Sequence, residues 1–286
     1  MGLIPTRTLI DTAAAAGTGL GSFNVLHLET AEAIVAGAEA VGLPVILQIS
    51  QNCAAYHGGL EPITLAAAAV ARTADVPVAL HLDHAEDEQL VYQALGLGFG
   101  SVMYDGAHLP YADNVAATAR VVRRAAAHGV FVEAELGKVG GKDGAHAPGV
   151  RTDPGEAAAF VETTGVDALA VAVGSSHAMT KRGAALDLEL IAQLKASVPV
   201  PLVLHGSSGV PDDLLVLAVG AGMTKINVST HLNGFFTRAV REVLASQPDL
   251  VDSRKYLAAG RHALASEAGR LLVLLSLQDQ PAKRES

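Results

Sequence analysis

Cysteine is nearly absent from this chain: Cys53 is the only one in 286 residues. A lone thiol excludes an intrachain disulfide and points to a reducing compartment. Aromatic residues make up only 4%, while Ala, Val, Leu and Gly abound, so a tightly packed α/β protein is expected rather than an all-β one. No basic cluster interrupts a net charge of −9, which argues against nucleic acid and against an anionic membrane surface as partners. An anionic substrate would have to be met by backbone donors and a few local cations. No uninterrupted apolar run reaches ~18 residues, so no membrane span is expected. The stretch MGLIPTRTLIDTAAAAGTG lacks the basic start and long apolar core of a signal peptide. Cytoplasmic localisation follows as the expectation. No linker or low-complexity segment divides the chain, which reads as one domain over 1–286, with QDQPAKRES (278–286) as a frayed tail.

What the chain has instead is a beat. Short apolar runs recur: GSFNV (21–25), PVILQIS (44–50), PVALHLDH (77–84), SVMYDG (101–106), VFVEAELG (130–137), ALAVAVGSSH (168–177), PLVLHGSSG (201–209) and TKINVST (224–230). They are almost continuously apolar, as parallel strands buried on both faces are. The intervals carry helical marks. NVAATARVVRRAAAHG sets Val115, Ala119, Val122 and Ala126 on one face and stops near Gly129. DPGEAAAFVETTG offers Asp153 as N-cap, Pro154 at the first helical position and Glu156 three residues past the cap. Eight such units predict an α/β fold of the (β/α)8 TIM barrel type. An open doubly wound sheet is the alternative, but no G-x-G-x-x-G follows the first strand.

In such barrels chemistry sits at the C-terminal ends of the strands, and polar residues crowd there. In chain order the ends offer Asn24; Ser50; Asp83 and His84; Asp105; Glu133 and Glu135; Ser175, Ser176 and His177; His205 followed by GSSG; then Asn227, Ser229 and Thr230. His84, His177 and His205 would converge on one mouth, and three imidazoles with an open fourth position suit a catalytic zinc. Asp83 either exchanges a proton with a substrate oxygen or orients a histidine. Asp105 and Glu135 either hold a second cation, divalent or monovalent, or form a buried structural pair. His81 reads as a packed or supporting residue. HGSSG and NVST suggest a phosphate cradle in the loops after the last two strands, where Gly206 and Gly209 let backbone approach an anion. Lys181 either adds a positive charge there or is simply solvated.

These motifs resemble a known family. LHLDH, EAELG, AVAVGSSH, LVLHGSSG and KINVST, in that order, look like the class II, zinc-dependent ketose-bisphosphate aldolases, in the branch holding fructose- and tagatose-bisphosphate aldolases. The similarity runs from GSFNV to DSRKYLAAGRHAL. It implies that His84, His177 and His205 are zinc ligands and that Asp105 and Glu135 belong to an alternative buried metal position. It makes Asp83 the proton donor and acceptor at the cleaved bond. Gly206, Ser207 and Ser208, with Asn227, Val228, Ser229 and Thr230, match the dihydroxyacetone-phosphate segments. Lys181 matches a phosphate-facing lysine, and Asn24 and Ser50 match substrate-side polar positions. Arg254 matches an arginine that reaches a neighbouring subunit's distal phosphate, which implies a homodimer or homotetramer.

The chain departs from the family pattern in places. Ala178 stands where Gly is usual, and Asn233 where a basic residue is usual. Ser229 replaces the Asp of fructose-bisphosphate enzymes, which points to the tagatose type. The loop KVGGKDGAHAPG is short, with Asp143 its only acidic candidate for a base. The function expected is reversible aldol cleavage of a ketose 1,6-bisphosphate, or a related ketose 1-phosphate, to dihydroxyacetone phosphate and an aldehyde. Two alternatives are a Schiff-base aldolase using Lys225 and a non-catalytic accessory subunit that keeps the fold.

Overall fold

The computed structural model describes residues 2–136, 151–177 and 179–278. A two-residue strand, β1 (Gly2–Leu3), comes first, followed by eight longer-spaced strands: β2 (Leu20–Asn24), β3 (Val45–Ser50), β4 (Pro77–Ala85), β5 (Ser101–Tyr104), β6 (Phe131–Leu136), β7 (Ala168–Val171), β8 (Leu202–Leu204) and β9 (Met223–Val228). All pairings are parallel. The order β4-β3-β2-β9-β8-β7-β6-β5 closes on itself through β4 and β5. These eight strands are the eight runs read from the sequence, and the closed parallel barrel is the fold expected from them.

Helices wrap the barrel: α1 (Thr6–Ala16), α2 (Leu28–Val41), α3 (Gln51–Tyr56), α4 (Leu60–Thr73), α5 (Glu88–Leu97), α6 (Tyr111–Ala126), α7 (Pro154–Thr164), α8 (Leu188–Ser197), α9 (Asp212–Ala221), α10 (Thr230–Ser246) and α11 (Ser253–Ser276). None among the described residues is long and apolar enough to cross a membrane. The cap of α7 is as read: Asp153 accepts from the Glu156 N–H, with Pro154 opening the helix. The buried face of α6 is not. It runs through Asn114, Ala117, Thr118, Val121 and Ala125, so the predicted stripe is rotated; Val115 and Val122 pack only partly against the core. Ala is too small to mark which of two adjacent stripes goes inward.

Side-chain alternation divides the sheet into two faces. Outward residues such as Leu47, Leu80, Leu82, Val102, Leu169 and Leu204 fill the layer beneath the helices. Inward residues Leu20, Ile46, Ala79, Phe131, Ala168 and Val203 form an apolar layer low in the barrel. Helix α1 closes that end, setting Leu9, Ile10 and Ala13 into the same cluster. Each Leu, Ile, Val or Phe side chain among them, taken out of water, contributes up to about 1.5–3 kcal/mol, and each Ala less. The barrel is thus sealed below, and polar side chains occupy its upper half.

Candidate active site

The polar half begins one layer above the apolar plug. Ser22, Gln48, His81, Ser101, Glu133 and Lys225 alternate with the outward residues of their strands, and all are buried. The next layer holds Asn24, Ser50, Asp83, Glu135, His205 and Asn227. Asn24, Ser50, Asp83 and Asn227, with loop residues, line a cavity of about 190 Å³.

His84 reaches this cavity against the alternation rule. Asp83 points inward, so an ordinary strand would send His84 outward. The register of β4 against β5 slips between Leu82 and Ala85, and His84 takes φ +48°. That left-handed backbone is uncommon for a residue with a Cβ and carries strain on the order of 1 kcal/mol or more. It lets two successive residues, Asp83 and His84, both face the mouth.

Three imidazoles from three strand ends meet there. His84 lies 4.9 Å, centroid to centroid, from His177 and 4.6 Å from His205; His177 and His205 are 5.8 Å apart. One ligand-type atom from each of them and one from Glu135 fall within 4.8 Å of one another. Two of the rings are held at their outer nitrogens by carboxylates. His84 Nδ1 is 2.7 Å from Asp105 Oδ2, and His205 Nε2 is 2.9 Å from Glu133 Oε1. His205 Nδ1 is buried with no hydrogen-bond partner among the described residues and lies 3.2 Å from Glu135 Oε2. Burial alone pushes the His205 pKa down, but the Glu133 and Glu135 carboxylates outweigh it and bring it up to about 9. The spot calls for positive charge. A nitrogen-rich donor set with one carboxylate, with His84 and His205 each steadied by a further carboxylate, fits a tetrahedral cation such as zinc.

Asp83 stands beside this cluster, 3.9 Å from His84 Nε2. Asn24 Nδ2 and Gln48 Nε2 donate to its Oδ2 at 3.3 and 3.4 Å, and Asn227 Nδ2 to its Oδ1 at 3.5 Å. Burial raises its pKa, but His84, His205, Lys225 and His81 outweigh that and hold it down to about 2. It is an ionised acceptor steadied by three amides. Asp105 does not join the cation cluster; it fixes the His84 ring and accepts from the Ala107 N–H.

The opposite wall is the Gly/Ser cradle. Gly206 takes φ +67°, and a Cβ there would lie 2.6–2.8 Å from the Ser176 backbone, so only glycine fits. Ser208 Oγ accepts from the N–H groups of Ser229 and His231 at 3.2 and 3.1 Å. This ties the β8 loop to the N-terminus of α10, a ready anion site. Gly206, Ser208, Asn227, Ser229 and Thr230 line the cavity.

Other expected residues fall elsewhere. Ser207 is buried and donates to Leu204 O, and the Val228 side chain joins the outer apolar layer. Lys181 is exposed and absent from the cavity wall. Arg254 is exposed and pairs with Asp252 at the start of α11. Ala178 and Asp143 lie outside the described residues. Ser50 lines the cavity and also caps α3 by accepting from Cys53 N. Lys225 is fully buried below the floor, bonded to Glu133 at 2.8 Å. A sealed ammonium held by a carboxylate is no Schiff-base nucleophile. Sequence reading left Gln48, Gln51, Asn52 and Glu86 unassigned, and all four line the cavity. Gln48 had a signal, a lone amide inside the apolar VILQIS, two residues before Ser50.

The class-II fructose-bisphosphate aldolase family model matches residues 4–280. The fructose-bisphosphate aldolase of Geobacillus stearothermophilus is 39% identical over 268 residues, spanning 92% of this chain and 93% of that one. The fructose-bisphosphate aldolase of Thermus caldophilus is 39% identical over 289 residues, spanning 92% and 94%. Among solved structures, the YdjI aldolase from Escherichia coli K12 superposes with a TM-score of 0.84 at 30% identity, covering 96% of this chain and 97% of that one.

Proposed function

This chain belongs to the class II fructose-bisphosphate aldolase family, and from that premise we propose the reaction its site performs. It is the reversible aldol cleavage of a ketose 1,6-bisphosphate of the tagatose or fructose type, or of a related ketose 1-phosphate, to dihydroxyacetone phosphate and an aldehyde. The observation that carries this reading is the convergence of His84, His177, His205 and Glu135 between an ionised carboxylate and an anion cradle. Zinc is the ion this donor set suits, and when bound it would stabilise the negative charge developing on the ketose oxygens.

The chain's own groups do the rest. Gly206, Ser208, Ser229 and Thr230 grip the phosphate and fix the carbon chain relative to Asp83. A carboxylate oxygen of Asp83 accepts the hydroxyl proton at the bond to be cleaved. The oxygen's electron pair then forms the aldehyde carbonyl, the carbon–carbon bond breaks, and its electron pair stays with the ketose-phosphate half. That half takes a proton at carbon; Asp143 is the proposed donor. In condensation the same groups run in reverse. Ser229, small and neutral, favours tagatose over fructose 1,6-bisphosphate. The same reading has Asn24 and Ser50 contact the sugar, Lys181 serve the phosphate, the backbone of Ser207 and Val228 shape the cradle, and Ala178 belong to the substrate-binding set. It places the chain in the cytoplasm as a homodimer or homotetramer, with exposed Arg254 available to a neighbouring subunit.

Exhaustive chelation followed by a cleavage assay tests the proposal. Activity is expected to vanish and to return with zinc. Full activity in excess chelator would overturn it.

A further inference from the structure

Below the cavity floor, side chains from strands that are not neighbours meet across the barrel. Lys225 on β9, Glu133 on β6 and His81 on β4 are each no more than 1% exposed. Lys225 Nζ donates to Glu133 Oε2 at 2.8 Å and to His81 Nε2 at 3.3 Å. His81 Nδ1 lies 2.7 Å from Ser101 Oγ. The other Glu133 oxygen, Oε1, faces His205 Nε2 at 2.9 Å. None of Lys225, Glu133 and His81 lines the cavity. A buried ion pair is weak evidence of a stabilising role, since well-packed apolar residues often serve as well.

The directions of these bonds are forced. An ammonium only donates and a carboxylate only accepts. Lys225 therefore makes His81 Nε2 an acceptor, leaving the His81 Nδ1 proton for Ser101. It also occupies Glu133 Oε2, and Glu133 Oε1 can only accept from His205. We propose that Lys225 and Glu133 are positioning residues that keep a proton on His205 Nε2, so that Nδ1, which faces the cluster 3.2 Å from Glu135 Oε2, is the nitrogen left to give its lone pair to a bound cation. The proposal rests on the aldolase reading only for the place of the cation, and its readouts do not require aldol chemistry. Glu133 also draws on the Nε2 proton and so makes Nδ1 a better donor.

Glu133→Gln is expected to reverse the ring's proton. Lys225 holds the amide oxygen, so the amide NH2 faces His205 Nε2. That nitrogen must then accept, and the ring proton moves to Nδ1, where the metal belongs. Zinc affinity, measured by competition with a chromophoric chelator, is expected to fall about 10–100-fold, with the helical circular dichroism unchanged. Adding Lys225→Met frees the amide to turn its oxygen to His205 and its NH2 toward His81 Nε2. The double variant is expected to regain at least tenfold of the lost affinity, estimated as a large part of that range. A purely structural ion pair predicts the opposite, a double variant no better than the single one. Wild-type affinity in Glu133→Gln, or no recovery in the double variant, overturns the proposal.

Should either variant fail to fold, the unsubstituted protein decides. Two-bond proton–nitrogen correlation spectra of the zinc-loaded chain, labelled at histidine ring nitrogens, are expected to show His205 protonated at Nε2. The His205 signals are identified by their loss in His205→Gln. Zinc at Nε2 contradicts the inference. Zinc affinities that follow this pattern in a protein with no cleavage of any ketose phosphate would instead sink the proposed reaction alone.

Discussion

Asp83 and His84 show how much one backbone torsion decides. Their neighbours in sequence are apolar and their type was legible as site chemistry, because a carboxylate and an imidazole at the end of a doubly buried strand must be paired or used. What alternation could not give was their joint orientation. That comes from the slipped register and the φ of +48° at His84, which no sequence period encodes. Glu133 was visible as the alternate partner of Glu135, but its bond to His205 crosses from β6 to β8 and is a property of closure. If Asp83 moves the proton while the histidines hold the ion, Asp83→Ala is expected to lower kcat by about 10²–10⁴-fold with zinc content unchanged. Loss of zinc from that variant would assign Asp83 to metal retention instead. At Gly206, an added methyl group meets the Ser176 backbone at 2.6–2.8 Å. Gly206→Ala is therefore expected to raise KM for the ketose phosphate and lower Tm together; an unchanged KM would contradict its place in the cradle.

At the scale of elements, strands were easier to read than the helices between them. Each strand is buried on both sides and so spells itself in Val, Leu, Ile and Ala. The short β1 and the plugging helix α1 went unread, because two residues carry no period and TRTLIDTAAAA marks its buried face with little beyond Leu9 and Ile10. Helix α11 crosses α2 at a pair of glycines. A Cβ on Gly37 would sit 2.3 Å from Ala265 O and 3.0 Å from the Gly269 nitrogen. Gly96, inside α5, has nothing within 4 Å of its missing Cβ. The two alanine substitutions are therefore expected to differ in sign. Gly37→Ala destabilises by about 1–3 kcal/mol through overpacking, and Gly96→Ala stabilises by roughly 0.4–1 kcal/mol through the unfolded chain. Urea unfolding of both variants checks this; a stabilised Gly37→Ala would show that the two helices are not in backbone contact.

Over the whole molecule, the C-terminal helix is tied to the Gly/Ser side of the barrel mouth by charge. Glu267 on α11 bonds to His231 at 2.6 Å and to Arg270, and Arg270 pairs with Asp212, which also pairs with Arg182. This network links α9, α10 and α11 at the cradle, and it was invisible in sequence because its members are scattered between residues 182 and 270. Burial pushes the Glu267 carboxyl up, but Arg270 and His231 outweigh that and hold it down to about 2. A carboxyl depressed on folding contributes its full stability above its unfolded pKa, near 4.5, and loses it as pH falls toward 2. Replacing Glu267 with Gln is expected to flatten the fall in stability between about pH 5 and pH 2, as followed by denaturant titrations at each pH. An unchanged slope would mean that other carboxylates govern acid unfolding.

The proposed reaction requires one ion at the barrel mouth. Diffraction data collected on either side of the zinc absorption edge, from crystals of protein purified with zinc, locate it directly. The predicted result is a single strong anomalous peak within bonding distance of His84, His177 and His205. A peak elsewhere, or none at that meeting point in a fully active sample, would contradict it.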